Sequence, residues 1–168
     1  LVAWIAAILA AAAGETAPET PQKPERTIAV MGVGSMDRTL LPTIVEWVRE
    51  NMGPARNAGM IPDKDRQSSA DLALELRKNF STHDLALVAL RSTPDWKGFG
   101  EAVFVTTNRI AIVDLGALKA PSTTNAVSSK LFLRRVKAES IRGAALALGM
   151  EPCPFLYCAL FAAERPLD

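Results

Sequence analysis

One stretch near the end of the chain constrains the fold most, residues 130–160, KLFLRRVKAESIRGAALALGMEPCPFLYCAL. Its periodicity is that of one long amphipathic helix. The apolar side comprises Leu131, Val136, Ala144, Ala145 and Leu148, and the charged side comprises Arg134, Arg135, Lys137 and Glu139. Gly149 is placed to end this helix, because glycine adopts the left-handed cap conformation without steric cost. Pro152 and Pro154 then prevent the helix from resuming.

This layout resembles the active-site region of the archaemetzincins, a family of zinc peptidases. In that family the active-site helix carries H-E-x-x-H-x-x-G-x-x-H, followed at once by the first cysteine of a C-x-x-x-x-C pair. When Gly149 is aligned with the motif glycine, Cys153 and Cys158 fall on that pair without a gap. The resemblance implies an α/β (α+β) domain of the metzincin type, with a long helix beneath a twisted mixed sheet of about four strands.

The chemistry of the zinc motif is absent from the aligned positions. The three histidine positions become Arg142, Leu146 and Pro152, and the general-base position becomes Gly143. Arg142 is a permanent cation, and the other three side chains have no lone pair for a metal or for activating water. The chain contains one histidine, His83, so no three-histidine zinc site can form. The sequence therefore predicts a degenerate relative without catalytic residues or a catalytic cofactor.

The resemblance covers about residues 27–168 and is strongest from residue 99 onward. The segment FGEA at 99–102 and the strand AIVDLGAL at 111–118 are similar to the family's stretch before the active-site helix. In active members, an edge strand in this region aligns extended peptide by backbone pairing. The resemblance therefore assigns Val103, Phe104, Val105 and Thr106 to a peptide-binding edge strand.

Other segments predict the rest of the domain. Apolar runs at 27–33 and 85–90 predict buried strands, and residues 103–106 and 110–115 predict a hairpin with an outer and a buried strand. A short strand is possible near 60–61. Amphipathic helices are predicted at 38–52, with Asp37 as N-cap and Leu41, Ile44, Val45 and Val48 inward, and from Ser68 through residue 80. Residues 120–129 predict a polar loop.

The composition describes one ordinary globular domain. Hydrophobic residues make up 49% and charged residues 22% of 168 residues, which is enough for a real core. A formal net charge of +1 gives no reason to expect a nucleic-acid partner.

The N-terminal segment suggests export. Residues 1–13, LVAWIAAILAAAA, form an uncharged run that matches a secretory signal and is shorter than the roughly 20 residues of a membrane span. The alternative is a buried N-terminal helix. Residues 14–26 are rich in proline and polar residues and predict a linker before a domain at 27–168. We expect a periplasmic or extracellular protein with the segment cleaved or kept as an anchor, and a chain that continues beyond both ends of the sequence.

Three states of the cysteines remain open. Cys153 and Cys158 form half of a structural zinc site if two further cysteines follow residue 168, as the resemblance implies. They form a local disulfide if the protein is exported. Otherwise they are free thiols.

Two further motifs have ordinary explanations. The segment GVGS at 32–35 suggests a phosphate loop, but Asp37 stands where the dinucleotide fingerprint has glycine, which favours a strand-to-helix turn. His83 beside Asp84 is best explained as a surface residue at a strand start, since adjacent strand residues point to opposite faces.

The sequence thus predicts a catalytically inactive domain that binds a peptide or protein and meets a membrane only through its N-terminal segment. One alternative is a hydrolase with a displaced site built on Glu101, Glu139 and Arg142, although the last two have the spacing of an ordinary helix salt bridge. The other alternative is a purely structural interaction module.

Overall fold

Among the residues that the structure describes, five strands form one sheet in the order β2-β1-β3-β5-β4. In chain order the elements are β1 (Thr27–Val33), α1 (Leu40–Met52), β2 (Ala55–Ile61), α2 (Ser69–Leu76) with a 3₁₀ turn (Arg77–Asn79), β3 (Asp84–Arg91), β4 (Val103–Val105), β5 (Ile110–Asp114) and α3 (Ala126–Ala147). β1 pairs in parallel with β2 and β3, β3 pairs in parallel with β5, and β4 runs antiparallel to β5. The mixed α/β architecture is the one that the sequence predicts.

This computed structural model describes residues 25–64, 67–93, 102–119 and 126–153, without the side chains of 126–128. The signal segment at 1–13, nearly all of the linker, Glu101 and Cys158 lie outside these residues.

The strands separate two helical layers. Successive side chains of a strand point to opposite faces of the sheet. On one face they pack against α1 and α3, and we call it the α1/α3 face; on the other they pack against α2, and we call it the α2 face. The α1/α3 face buries Ile28, Val30, Ala86, Val88, Leu90, Val103, Ala111 and Val113. The α2 face buries Ala29, Met31, Val33, Leu87, Ala89, Ile110 and Ile112. β1, β3 and β5 are thus covered on both faces, as continuous apolar runs require.

The sheet has one strand more than the predicted four. The sequence indicated only a short strand near Met60, whereas β2 extends from Ala55 to Ile61. Its pairing with β1 shifts register opposite Val30 and Gly32, and Gly59 at the bulge has a φ of 86°. A bulge interrupts the apolar alternation by which a strand is recognised in a sequence.

Two helix starts differ from the prediction. Asp37 is not the N-cap of α1: its carboxylate accepts hydrogen bonds from the amide (2.9 Å) and hydroxyl (2.8 Å) of Thr39, and the helix begins only at Leu40. The hydrogen bond from the Thr39 amide, and to a smaller extent the one from the Thr39 hydroxyl, lowers the pKa of Asp37. α3 begins at Ala126, inside the predicted polar loop. The sequence does not indicate this start, because the first turn contains serines of modest helix propensity.

Other local predictions are confirmed. Leu41, Ile44, Val45 and Val48 are the buried residues of α1. The Ser68 hydroxyl caps α2 by accepting the Asp71 amide at 3.1 Å. Gly149 has a φ of 89°, its N–H donates to the Leu146 carbonyl (2.9 Å), and the Met150 N–H donates to the Ala145 carbonyl (3.0 Å). This is a Schellman motif, which ends α3 where the sequence predicts.

A buried carboxylate joins the amino ends of three strands. Asp84 accepts two hydrogen bonds from Arg56 (2.8 and 2.6 Å), one from the Ser81 amide (2.7 Å) and one from Thr27 (3.3 Å). Burial raises the pKa of Asp84, but the hydrogen bonds from Arg56, Ser81 and Thr27 outweigh it, and the net pKa is lowered. The hydrogen bonds that Arg56 donates to Asp84 in turn raise the pKa of Arg56.

We predict that Asp84→Asn lowers the free energy of unfolding by about 1–3 kcal/mol at pH 7, because it weakens a charge-assisted network. Since the folded pKa of Asp84 is depressed, its contribution is present above the unfolded pKa of about 3.9 and is lost as the pH falls through the folded value. Urea unfolding of both proteins between pH 7 and pH 2 should therefore show the difference shrinking in acid. Glu46→Gln, which breaks an exposed pair with Arg49, should cost less than about 0.5 kcal/mol. If Asp84→Asn lowered the free energy of unfolding by the same amount at pH 2 as at pH 7, the lowered pKa of Asp84 would be contradicted.

Candidate functional site

The candidate site lies where β4 meets α3. Within the described residues β4 ends the sheet and pairs only with β5. The Asp114 amide donates to the Ala102 carbonyl (2.7 Å), and the Thr106 amide donates to the Ile110 carbonyl (2.9 Å). Because hydrogen-bonded and non-hydrogen-bonded pairs alternate in an antiparallel ladder, the N–H and C=O groups of Val103 and Val105 point away from β5. Val103 is nonetheless 3% exposed, whereas Val105 is half-buried, so the outward groups of Val105 are the more accessible of the two.

Gly143 holds α3 close against this end of the sheet. A Cβ at Gly143 would lie 3.3 Å from both Ala111 Cβ and Val113 Cγ2, and 3.5 Å from Val103 Cγ1. The backbone of α3 therefore touches the undersides of β4 and β5, with little room for a side chain. At the position that the resemblance assigns to a general base, the structure has a packing contact.

Arg142, at the first vestigial ligand position, forms an almost buried ion pair. Its Nη1 lies 3.1 Å from Glu139 Oε2, and the two side chains are 6% and 15% exposed. Lys137, also on α3, lies over the Trp47 ring of α1 at 5.7 Å. At 3.6 residues per turn, Glu139, Arg142 and Leu146 share the flank of α3 turned away from Lys137. We call these three residues the outer stripe.

The residues at the motif positions do not fit a catalytic zinc. Arg142 and Gly143 are buried, Leu146 is half-buried and Pro152 is exposed beyond the end of α3. None of the four supplies a metal-ligating atom. In the part of the chain that the structure describes, no group of three or more His, Cys, Asp or Glu side chains is arranged to hold a metal ion.

The structure covers half of the predicted cysteine pair. Cys153 is half-buried, while Cys158 lies outside the described residues. The three states considered for the pair therefore stay predictions.

Other sequence motifs have structural roles. His83 is exposed, as predicted, and its carbonyl accepts the Thr27 amide at 3.0 Å. In the glycine segment, a Cβ at Gly32 would lie 2.8 Å from Met36 Sδ, and the Gly34 N–H donates to the Ile61 carbonyl (2.9 Å). These contacts suit a strand-to-helix turn and not a phosphate cradle.

Sequence reasoning missed one polar contact near the ends of β2 and β3. Asp63 accepts two hydrogen bonds from Arg91 (2.8 and 3.2 Å), and the side chains of Asp63 and Arg91 are 20% and 11% exposed. The partners stand far apart in the chain, so no local pattern indicates them.

We predict that Gly143→Glu destabilises the domain by more than about 3 kcal/mol, because it forces an acidic side chain into packed apolar surroundings. Ala138→Glu places the same side chain at an exposed position of α3 and should stay within about 0.5 kcal/mol of wild type. Gly143→Ala should change the free energy of unfolding by less than about 1 kcal/mol. The better helix propensity of alanine offsets the compression of its Cβ against Ala111 and Val113. Thermal and urea unfolding measure all three. Equal stability of the two glutamate variants would mean that position 143 opens to solvent.

Comparison with known proteins identifies the fold. No protein-family model and no curated protein sequence matches the chain. Its structure is similar to the archaemetzincin of Methanopyrus kandleri, with a TM-score of 0.63 and 16% identity over 87% of this chain and 86% of that one. It is also similar to a zinc-dependent peptidase of Methanocorpusculum labreanum (TM-score 0.59, 14% identity, 82% and 89% covered). A third similar structure is the archaemetzincin of Archaeoglobus fulgidus complexed with malonate (TM-score 0.50, 14% identity, 80% and 85% covered). The chain therefore has the archaemetzincin fold.

Proposed function

We propose that this protein is a catalytically inactive relative of the archaemetzincins that binds an extended peptide or protein segment along β4. The observation that carries the proposal is the ion pair of Arg142 and Glu139 at the place of the first zinc ligand. The fold is that of zinc peptidases, whereas the side chains of the outer stripe suit a different use of it.

The argument for inactivity is chemical. Hydrolysis by a zinc peptidase needs a metal with an open position and a base to activate water. A guanidinium stays protonated at every physiological pH, so at position 142 it opposes a dication. Leu146, one helical turn on, offers no ligand atom, and the base position is taken by the contact of Gly143 with the sheet.

The argument for peptide binding rests on β4. The N–H and C=O groups of Val105, a half-buried residue, point away from β5 and are of the kind that an added strand requires. This recognition uses the main chain, so it does not depend on a metal.

The displaced active site gains no support from the geometry. Arg142 donates a hydrogen bond of 3.1 Å to Glu139, so the carboxylate that would have to act as a base is already engaged in an ion pair. Glu101 lies outside the described residues.

For location, we propose an exported protein, on the strength of the apolar run at residues 1–13. Among the helices of the described residues, none is long and apolar enough to cross a membrane. A structural zinc at Cys153 and Cys158 belongs to this proposal only if further cysteines follow residue 168.

We predict that the purified protein does not cleave a mixed peptide library with added zinc, and that wild type and Arg142→Ala give the same background rate. Product release is followed by mass spectrometry, with a chelator control. Zinc-dependent cleavage that is abolished by Arg142→Ala would contradict inactivity.

We predict that Val105→Pro weakens binding of a ten-residue peptide, selected from a random library on the wild type, by at least about tenfold. Proline removes the outward N–H of Val105, while the hydrogen bonds to β5 come from neighbouring residues. Val105→Ala is the matched control, because it shortens the side chain and keeps the N–H. Calorimetric titration, with thermal unfolding to verify that both variants fold, measures the effect. Equal affinity of the two variants would contradict strand addition.

A further inference from the structure

We propose that the amino edge of the sheet docks on an anionic membrane surface. Four exposed cations, Arg26, Arg77, Lys78 and Arg109, contact the lipid headgroups, and Leu74 inserts between those headgroups. We call these five residues the amino-edge patch. The inference rests on the export proposed above and does not depend on strand addition at β4.

The fold gathers the four cations from distant parts of the chain. β1, β2, β3 and β5 are parallel, so their first residues lie along one edge of the sheet. Arg26 immediately precedes β1, and Arg109 immediately precedes β5. α2 returns from the end of β2 to the start of β3, so the 3₁₀ turn after it brings Arg77 and Lys78 to the same edge. All four side chains are exposed. No local pattern shows this grouping, so the sequence predicts a membrane contact only for the N-terminal segment.

Close carboxylates do not cancel the positive charge of this edge. Among the residues that the structure describes, none of the four cations of the patch forms an ion pair. Two carboxylates of the same region are engaged elsewhere, since Asp84 accepts hydrogen bonds from Arg56 and Glu75 pairs with Lys64 at 3.0 Å. Glu25 is an exposed acid beside Arg26. The four cations of the patch therefore outnumber the exposed acid beside them.

The backbone conformation of Arg109 is one that favours glycine. Its φ is 61°, the one positive φ of a non-glycine residue in the described part of the chain. Its N–H donates to the Thr106 carbonyl (3.2 Å) and its carbonyl accepts the Leu87 amide (2.9 Å), so the turn between β4 and β5 holds this conformation. Glycine adopts it without steric cost. A cation at such a position supports a use for its charge.

Leu74 adds an apolar group to the cations. Three other residues of α2 bury its inner side against the sheet, whereas Leu74 projects from the outer side and is 61% exposed. Arg77 and Lys78 follow Leu74 by three and four residues, so they lie beside it on the helix surface. The patch thus combines a projecting apolar side chain with cations on either side.

A lipid surface suits this arrangement better than a folded acidic partner. A projecting apolar side chain among cations matches a membrane interface, where apolar groups insert below anionic headgroups. The attachment of the chain favours the same orientation, because the predicted linker at residues 14–26 joins the domain at Thr27, on this edge. Fully extended, that linker reaches at most about 45 Å. With residues 1–13 in a bilayer, the tether therefore holds the amino edge close to the lipid.

The test measures binding to phosphatidylcholine vesicles, with and without one third phosphatidylglycerol, by flotation. A background chain carries Ile5→Asp and Leu9→Asp, because charges in the apolar run oppose its insertion. In about 0.1 M salt this chain should bind the anionic vesicles at least about tenfold more tightly than the neutral ones. The difference should vanish near 1 M salt, where the Debye length is about 3 Å.

Charge removal then locates the contact. In the background chain, Arg77→Gln with Lys78→Gln and Arg109→Gln should weaken binding to anionic vesicles by at least about tenfold, since each cation contributes about fivefold. The matched control removes three exposed cations near the opposite edge, by Arg38→Gln, Lys130→Gln and Arg134→Gln. It should change binding by less than about twofold, because the 7 residues of β1 separate the edges by about 23 Å, or roughly two Debye lengths.

Two single substitutions test the other features of the patch. Leu74→Gln should weaken binding about threefold, while Leu133→Gln, at an apolar side chain of α3 that is 40% exposed, should leave it unchanged. Arg109→Gly should raise the Tm, because glycine fits the left-handed conformation, and should still weaken binding about fivefold. Thermal unfolding verifies that every variant folds.

Equal weakening by the two triple variants would make the attraction a property of net charge and overturn the inference. Failure of the background chain to bind anionic vesicles would also overturn it. If poly-glutamate binds the background chain through the patch and the vesicles do not, an acidic polypeptide is the occupant and the inference falls. Insertion of residues 1–13 is judged separately, by tighter binding of wild type than of the background chain to neutral vesicles. Failure of that arm contradicts the tether and not the patch.

Discussion

The contact of Gly143 with β4 and β5 sets the distance between α3 and the sheet edge, and the candidate site depends on that distance. A glycine within a helix costs about 1 kcal/mol relative to alanine. Here the cost is offset by close packing of the helix backbone against Ala111, Val113 and Val103. A larger side chain at this position would push α3 away from β4, so the close packing of the helix depends on glycine here.

In the outer stripe, the charges of Glu139 and Arg142 face each other across one helical turn. A nearly buried arginine or glutamate alone would be costly, and the pair is tolerable because each side chain desolvates against an opposite charge. A catalytic zinc site holds its dication with ligands that carry lone pairs, and the metal supplies part of the folding energy. In this chain Glu139 and Arg142 contact each other in the region of α3 that the resemblance assigns to the zinc motif.

The sequence predicts those parts of the structure that local patterns determine. The period of α3, the cap at Gly149 and the apolar runs of β1 and β3 need only neighbouring residues to be recognised. β2 was mostly missed because a bulge at Gly59 breaks its alternation, and Asp37 was assigned to a helix although its carboxylate serves the turn before it. At the site, the spacing of Glu139 and Arg142 already indicates a salt bridge. Long-range contacts determine the rest: the fit of Gly143 depends on residues of β4 and β5, and the outward direction of Val103 and Val105 depends on register.

Recognition through β4 and catalysis on α3 place different demands on the sequence, and so one can persist without the other. Catalysis needs particular side chains at four positions, and the positions that the resemblance assigns to them hold Arg142, Gly143, Leu146 and Pro152. Strand addition would use backbone atoms of β4 that the pairing with β5 leaves pointing outward, those of Val105 above all. Side-chain substitutions leave these atoms in place as long as α3 and β5 hold the strand. An exposed edge is also a hazard for unspecific pairing, which a strand of 3 residues limits. The packing of Gly143 against Val103 therefore supports this short edge whichever side chains stand at the other motif positions.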